Sequence, residues 1–269
     1  MTHARKRFGQ HFLEAGWAER VVAAIAPSPL DTLIEIGPGR GALTFALARR
    51  ARRVIAIEID RDLAPRLAER TPPNVEIVNA DVLDTDLSGY VSDGEVVRVV
   101  GNLPYNVATP ILFKLLVEAD EGRRIRDATV MVQLEVADRL AAEPGSKAWG
   151  VLSICQQLRA HIERLLVLPP NAFRPAPKVH SAIVRLAYRP SAAALLPGAP
   201  IEAMARSLFT KRRKVLSNAL APFAGDRGID PDDILARAGL DPRRRPETLD
   251  LVELARLAGL FVSAGSASA

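Results

Sequence analysis

Leu33-Ile34-Glu35-Ile36-Gly37-Pro38-Gly39-Arg40-Gly41 is the stretch on which the architecture turns. A short aliphatic run enters a glycine-rich turn, and helical spacing follows from Ala42 to about Arg50. Strand, glycine turn and helix in that order form the opening unit of a parallel α/β sheet, with the turn at the ligand-binding edge. Glycine there lets backbone approach a ligand closely. The next strand, Val54-Ile55-Ala56-Ile57, ends in Glu58, 21 positions beyond Gly37. A carboxylate at that tip suits ribose hydroxyls. A third strand, Val75-Glu76-Ile77-Val78, leads to Asn79-Ala80-Asp81, a second acidic tip able to bond an adenine amine.

The ligand can be narrowed further. A dinucleotide fingerprint wants G-x-G-x-x-G, whereas the spacing here is G-x-G-x-G with Ala42 following. Glu35 directly before the turn is ill suited to a pyrophosphate and suits an ammonium or a positive sulfur. Those features favour S-adenosylmethionine over a nicotinamide cofactor. An NAD-dependent oxidoreductase is the competing class, and the glycine spacing disfavours it.

A fourth strand, Val96 to Val100, runs into Gly101-Asn102-Leu103-Pro104-Tyr105-Asn106. Pro104 ends the strand and stiffens the turn. Two readings stay open on these residues alone. In one, an Asn-Pro turn merely closes a strand and Tyr105 packs in the core. In the other, the Asn102 side-chain oxygen and the Leu103 carbonyl accept the two N–H bonds of an exocyclic adenine amine. That amine is a poor nucleophile because its lone pair is delocalised, so aiming it at an electrophile is the task. Tyr105 would stack on the base, worth about 1–3 kcal/mol.

Farther along, Ile111–Val117, Val136–Ala142 and Gly150–Leu158 have helical spacing, and Ala128–Leu134, His161–Leu168 and Ser181–Tyr188 are strand-like, the last two expected as an antiparallel end of the sheet. Phe173-Arg174-Pro175-Ala176-Pro177-Lys178-Val179 is an extended loop fixed by two prolines. Phe173 is either the second wall of an aromatic clamp on the base or an anchor for its own loop. Pro190–Pro200 is rich in Ala and Pro and reads as a linker. Beyond it only helical patterns remain, at about Ile201–Ala221, Pro231–Ala238 and Leu249–Ala258, with Asp230 and Asp250 in N-cap position and a Gly- and Ser-rich end expected to be disordered from Ser263. The reading is a Rossmann-like α/β domain over 1–189 with helices on both faces, a linker over 190–200, and a small all-helical domain over 201–269.

The chain has 269 residues, is 48% hydrophobic, and carries a net charge of +5 with a pI near 9.7, which suits an anionic partner. The positive charge is clustered. Arg5-Lys6-Arg7, Lys211-Arg212-Arg213-Lys214 and Arg243-Arg244-Arg245 are candidate phosphate contacts. If one helix spans 201–221, the Lys211–Lys214 block interrupts its apolar stripe and Arg212 has to snorkel outward. Cys155 is solitary, and the four histidines show no ligand spacing, so no metal is expected. No signal peptide or uncharged apolar run near 18 residues is evident, so the expectation is a soluble cytoplasmic protein.

Taken together, Phe8-Gly9-Gln10-His11-Phe12-Leu13, Glu35-Ile36-Gly37-Pro38-Gly39, Asn102-Leu103-Pro104-Tyr105-Asn106 and Phe173–Val179 resemble the ribosomal RNA adenine dimethylases, above all their small-subunit branch. The resemblance implies a class I methyltransferase sheet with a helical domain that helps grip RNA. It implies transfer of two methyls from S-adenosylmethionine to each of two adjacent adenosines near the 3′ end of 16S rRNA, within a small subunit or its precursor, by a protein expected to be a monomer. His11 and Leu13 would touch the cofactor from the N-terminal arm, Gly37 and Gly39 would lie under it, Glu58 would hold its ribose and Asp81 its adenine. Asn102 would touch both cofactor and target amine, with Leu103, Pro104, Tyr105 and Phe173 completing the catalytic group. Arg5, Lys6, Arg7, Lys178 and the Lys211–Lys214 block would contact RNA. His11, Leu134 and Trp149 stand where Asn, Lys and Tyr are common in the family. Within the family the alternative is a 23S rRNA adenine methylase of the antibiotic-resistance type. Outside catalysis, it is a ribosome-assembly or RNA-binding factor using the same surface.

Overall fold

The structure, a computed structural model, describes residues 11–92, 94–120, 125–189 and 199–265. Arg5, Lys6, Arg7 and the Phe8-Gly9-Gln10 part of the N-terminal motif lie outside the described residues, as does most of the proposed linker. Chain order begins with the two-residue strand β1 (Phe12–Leu13) and helix α1 (Ala15–Ile25), then β2 (Thr32–Ile36), α2 (Ala42–Ala48), β3 (Arg53–Glu58), α3 (Leu63–Ala68), β4 (Val75–Asn79) and β5 (Val97–Asn102). Helix α4 (Ala108–Asp120), β6 (Ile125–Gln133), α5 (Leu134–Leu140), α6 (Val151–Gln157), β7 (Ala160–Leu168), β8 (Phe173–Arg174) and β9 (Ser181–Tyr188) follow.

Seven strands form one sheet in the order β4-β3-β2-β5-β6-β9-β7. Strands β4 to β6 pair in parallel and β9 runs antiparallel to β6, the end expected from sequence. Every residue of β2 is buried, as a parallel strand covered on both faces requires. Strand order reverses between β2 and β5, so their tips form the crevice where such sheets take ligands. The register there is tight. Ile36 sits opposite Gly101, and a Cβ at Gly101 would drive into the Ile36 carbonyl oxygen. Only glycine permits the approach that brings Asn102 beside the Gly37 turn.

The chain divides into two compact units, 1–137 with 161–188, and 138–160 with 189–269. The second unit takes in 138–160, which the linker-based boundary assigned to the first. Packing is the reason: Trp149, Ile154 and Leu158 are buried in one apolar cluster with Met204, Leu208 and Leu220. This unit also holds α7 (Ile201–Thr210), α8 (Leu216–Gly225), α9 (Pro231–Arg237) and α10 (Leu251–Gly265). The single helix expected over 201–221 is two. Helix α7 ends at Thr210, two residues past buried Leu208, and the Lys211–Lys214 block forms the turn before α8, with Lys211, Arg213 and Lys214 exposed. Asp230 caps α9, accepting from the Asp232 and Asp233 N–H groups, and Asp250 caps α10 through the Glu253 N–H at 2.8 Å. Helix α10 continues through Gly265, past the point where disorder was expected, and 266–269 lie outside the described residues.

In the first unit, α1 lays Val21, Val22 and Ile25 against the sheet beside Leu43 and Leu47 of α2. Its C-terminal carbonyls are tied down by buried charge. Arg98 Nη2 donates to Ile25 O at 2.7 Å and Nη1 to Ala26 O at 3.1 Å, while Nε and Nη1 pair with Asp127 and Asp31, each at 2.9 Å. Arginine is suited to this because its planar fork serves several acceptors at once. Arg98→Met leaves two mostly buried carboxylates with only the more exposed Arg126 as a cationic partner, and we expect a loss of about 2–4 kcal/mol in urea unfolding. A loss below about 1 kcal/mol would show that the pairs are incidental.

Candidate active site

The tips of β2, β3, β4 and β5 enclose one cavity, lined among others by Gly37, Gly39, Glu58, Asp81, Asn102 and Tyr105. Residues widely separated in sequence are therefore brought to a single wall, and His11, Leu13, Glu35, Leu103 and Pro104 line it too. The glycine turn is held by a Gly37 N–H bond to Ile57 O at 2.9 Å. Gly39, with φ +58°, leaves no room for a side chain because a Cβ there would come within 2.9 Å of the Phe12 ring.

Asn102 is the pivot. Its Nδ2 donates to the His11 carbonyl at 2.7 Å, and its Oδ1 is buried with no partner. The Leu103 N–H is taken by Met131 O at 3.1 Å, which fixes the peptide after Asn102. Next along, the Tyr105 ring lines the cavity, one face covered by the His11 imidazole at a centroid distance of 5.2 Å and 27° between planes. His11 Nδ1 in turn donates to Pro175 O at 2.7 Å. The aromatic face of Tyr105 therefore accepts a flat heterocycle in this structure.

Three carboxylates set the electrostatics. Glu35 is wholly buried, burial pushes it up to about 8, and its Oε2 has no partner. Glu58 is also raised by burial, against hydrogen bonds that favour its charge: Oε2 accepts from Gly39 N–H and Oε1 from Asp60 N–H, both at 2.9 Å. Asp81 Oδ1 accepts the Leu83 N–H at 2.9 Å. A pyrophosphate does not fit among these acids. A ligand with a sulfonium, an ammonium group, a ribose diol and an adenine amine does, since it supplies positive charge and donors to the orphaned Glu35 and Asn102 oxygens.

Phe173 corrects one expectation. Leu13 pairs with Phe173 and Phe12 with Arg174, and directly opposed residues of an antiparallel pair share a face. Phe173 accordingly follows Leu13 into the core, where it is 0% exposed, packed in one cluster with Leu13 and Ile183. It anchors its loop and offers no face to a base. Phe12 is the phenylalanine that lines the cavity, together with Tyr105, and the Arg40 guanidinium is stacked 4.4 Å from its ring centroid. Sequence reasoning missed Phe12, Arg40, Ile59 and Val82 as wall residues. Position was the available signal, since Arg40, Ile59 and Val82 lie in or directly after a predicted turn or strand tip and Phe12 lies between His11 and Leu13, both expected at the cofactor.

The basic candidates divide by exposure. Lys178, Lys211, Arg213 and Lys214 are exposed. Arg212 is not splayed outward as the single-helix reading required. It folds back, donating through Nε to Glu247 at 2.5 Å and through Nη1 and Nη2 to the Lys147 and Ser146 carbonyls at 2.7 and 3.0 Å. Arg244 is similarly engaged with Glu253 and the Thr248 carbonyl. Leu134 and Trp149, where the family often has Lys and Tyr, are half-buried and buried.

The sequence profile of the family described as ribosomal RNA adenine dimethylase matches residues 1–254. The chain belongs to the ribosomal RNA adenine dimethylase family. Relatives in this family include the ribosomal RNA small subunit methyltransferase A of Acidithiobacillus ferrooxidans, 43% identical over all of this chain and 98% of the relative. The protein of the same name from Xanthomonas campestris is 42% identical over 96% of each chain. Among solved structures, a dimethyladenosine transferase from Plasmodium falciparum matches with a TM-score of 0.79 at 24% identity, over 95% of this chain and 98% of that one, a likeness of fold. A 23S rRNA methyltransferase, ErmE, matches with a TM-score of 0.67 at 29% identity, over 93% and 99%. As a member of this family the protein uses S-adenosylmethionine, and the cavity's carboxylates suit that donor.

Glu35 makes the cavity's chemistry testable without substrate. Its folded pKa lies above the unfolded value, so it contributes stability that is complete below about pH 4.5 and is lost as pH rises towards about 8. Glu35→Gln should therefore melt progressively higher relative to the parent between those limits and level off above pH 8, while binding S-adenosylmethionine more weakly. A pH-independent difference in melting temperature would refute the buried-acid assignment.

Proposed function

We propose that this protein dimethylates N6 of two adjacent adenosines near the 3′ end of 16S rRNA, within a small ribosomal subunit or its precursor, acting as a monomer in the cytoplasm. Methyl transfer to small-subunit rRNA adenine follows from family membership and from the relatives' names. The orphaned, buried Oδ1 of Asn102 on the cavity wall carries the reading of how it happens.

S-adenosylmethionine supplies a methyl group made electrophilic by its sulfonium. Everything else is done by the chain's own residues. Glu35 meets the positive end of the donor, Glu58 the ribose hydroxyls and Asp81 the adenine amine. Asn102 Oδ1 and the Leu103 carbonyl accept the two N–H bonds of the target amine, which fixes the direction of its lone pair. Tyr105 stacks on the extruded base and offsets part of the few kcal/mol that extrusion costs. No strong base is required, because the amine becomes acidic on attack and releases its proton afterwards. Positioning is then the main catalytic contribution, of order 7–11 kcal/mol at most. Lys178, Lys211, Arg213 and Lys214 serve phosphates, while Arg212 holds its loop in shape.

The 23S alternative is less supported, since ErmE is 29% identical against 43% for the small-subunit relative. Transfer to small and large ribosomal subunits from a strain lacking the modification, mapped by primer extension on both rRNAs, tests the substrate, and stops confined to 23S rRNA would overturn it. Asn102→Ala should lower transfer by at least about 10²–10³-fold, as loss of one preorganised partner does, with donor affinity mostly retained. Turnover at the parental rate would remove Asn102 from the mechanism. Neutralising Arg213 and Lys214 should lower the slope of log affinity for RNA against log salt by about one per lost phosphate contact, whereas an unchanged slope would exclude them from the RNA-binding face.

A further inference from the structure

We propose that Ser181 is a positioning residue for methyl transfer: its buried hydroxyl, 2.6 Å from Tyr105 Oη, anchors the ring on which the target base stacks. This rests on the reading of Tyr105 as the stacking platform. Ser181 opens β9, opposite Gln133 at the end of β6, and is 0% exposed. It does not line the cavity, so any effect on the reaction passes through Tyr105.

Tyr105 lies just past the end of β5, where backbone pairing no longer constrains it. A side chain in that place has two rotatable bonds before the ring, and its far end reaches a strand of the sheet. The hydroxyl bond supplies that fixed point. Burial raises the phenol above its ordinary value, so a neutral O–H meets the serine at neutral pH. His11 constrains one face of the ring and Ser181 its tip, which leaves the ring plane determined from two directions. Neither contact touches the donor-facing acids. The hydroxyl therefore sets where the base lies relative to Asn102 Oδ1, and not whether the cofactor binds. Because transfer depends on alignment, a displacement near 1 Å costs up to about 10²-fold in rate.

The test compares the parent with Ser181→Ala, Tyr105→Phe and the double variant on undermethylated small subunits. Each single variant should lower kcat by about 10- to 100-fold, with KM for subunits and Kd for S-adenosylmethionine within about twofold. The double variant should be no slower than the slower single, since both remove the same bond. Parental kcat in both singles, an additive double, or a fall in donor affinity that matches the fall in kcat would each overturn the assignment. Should Ser181→Ala fail to fold, Tyr105→Phe keeps the ring and decides alone. A measurement that needs no turnover is the 13Cζ resonance of Tyr105, identified among three tyrosines by its loss in Tyr105→Phe. It should move in Ser181→Ala, and an unmoved signal overturns the contact even if the parent proves inactive on small subunits, an outcome that would itself count against the substrate reading.

Discussion

The two ends of one amide are treated differently, and the site depends on that difference. The N–H end of Asn102 is bonded to the His11 carbonyl, and the oxygen is buried without a partner. Leaving such an acceptor unmet costs about 1–3 kcal/mol. It persists because its surroundings leave it no alternative: Gly101 is pressed against Ile36, the Leu103 N–H is taken by Met131, and Pro104 limits the next dihedral. The unpartnered acceptor is a preorganised one. A donor arriving at it is oriented by a group that need not move.

Charge explains why the same crevice serves this cofactor and not a dinucleotide. Related sheets greet a pyrophosphate with a glycine turn and a helix N-terminus. Here Glu35 lies buried directly before the turn, and Glu58 takes the Gly39 N–H that a phosphate oxygen would otherwise use. The N–H of the turn is thus already taken from within by Glu58. Outside the cavity, exposed Lys and Arg carry the opposite sign, so a protein of net positive charge can hold an acidic cofactor pocket and a polyanionic substrate at once.

Much of this was legible because strand tips are. The runs ending at Ile36, Glu58, Asn79 and Asn102 are short and aliphatic, the first and last punctuated by Gly or Pro and the middle two by an acidic tip at Glu58 and Asp81, and each delivers its next residues to the cavity. What failed to read depends on pairing between distant segments. The destination of Phe173 is set by its register against Leu13, some 160 positions away, which no local pattern encodes. Arg212 looked like a surface cation until Glu247 and two carbonyls near Ser146 converged on it. Segment 138–160 belongs to the helical unit because Trp149 and Leu158 share a core with helices that follow the linker. Ser181 drew no attention as a small polar residue at a strand start, since its partner lies across the sheet.

The N-terminal segment links these features. Four residues from His11 to Glu14 pair with β8 through Phe12 and Leu13 and through the Glu14 N–H to Ala172 O at 2.9 Å. Within them, the His11 carbonyl holds Asn102, its ring covers Tyr105, and Phe12 roofs the glycine turn at Gly39. The glycine turn, Asn102 and Tyr105, the proposed cofactor wall, amine acceptor and stacking platform, are therefore fastened to one short strap. A displacement of that strap loosens all three together. The buried pair Leu13 and Phe173 is what keeps it seated, so the phenylalanine that does not line the cavity still holds the segment that carries the groups proposed to align the base.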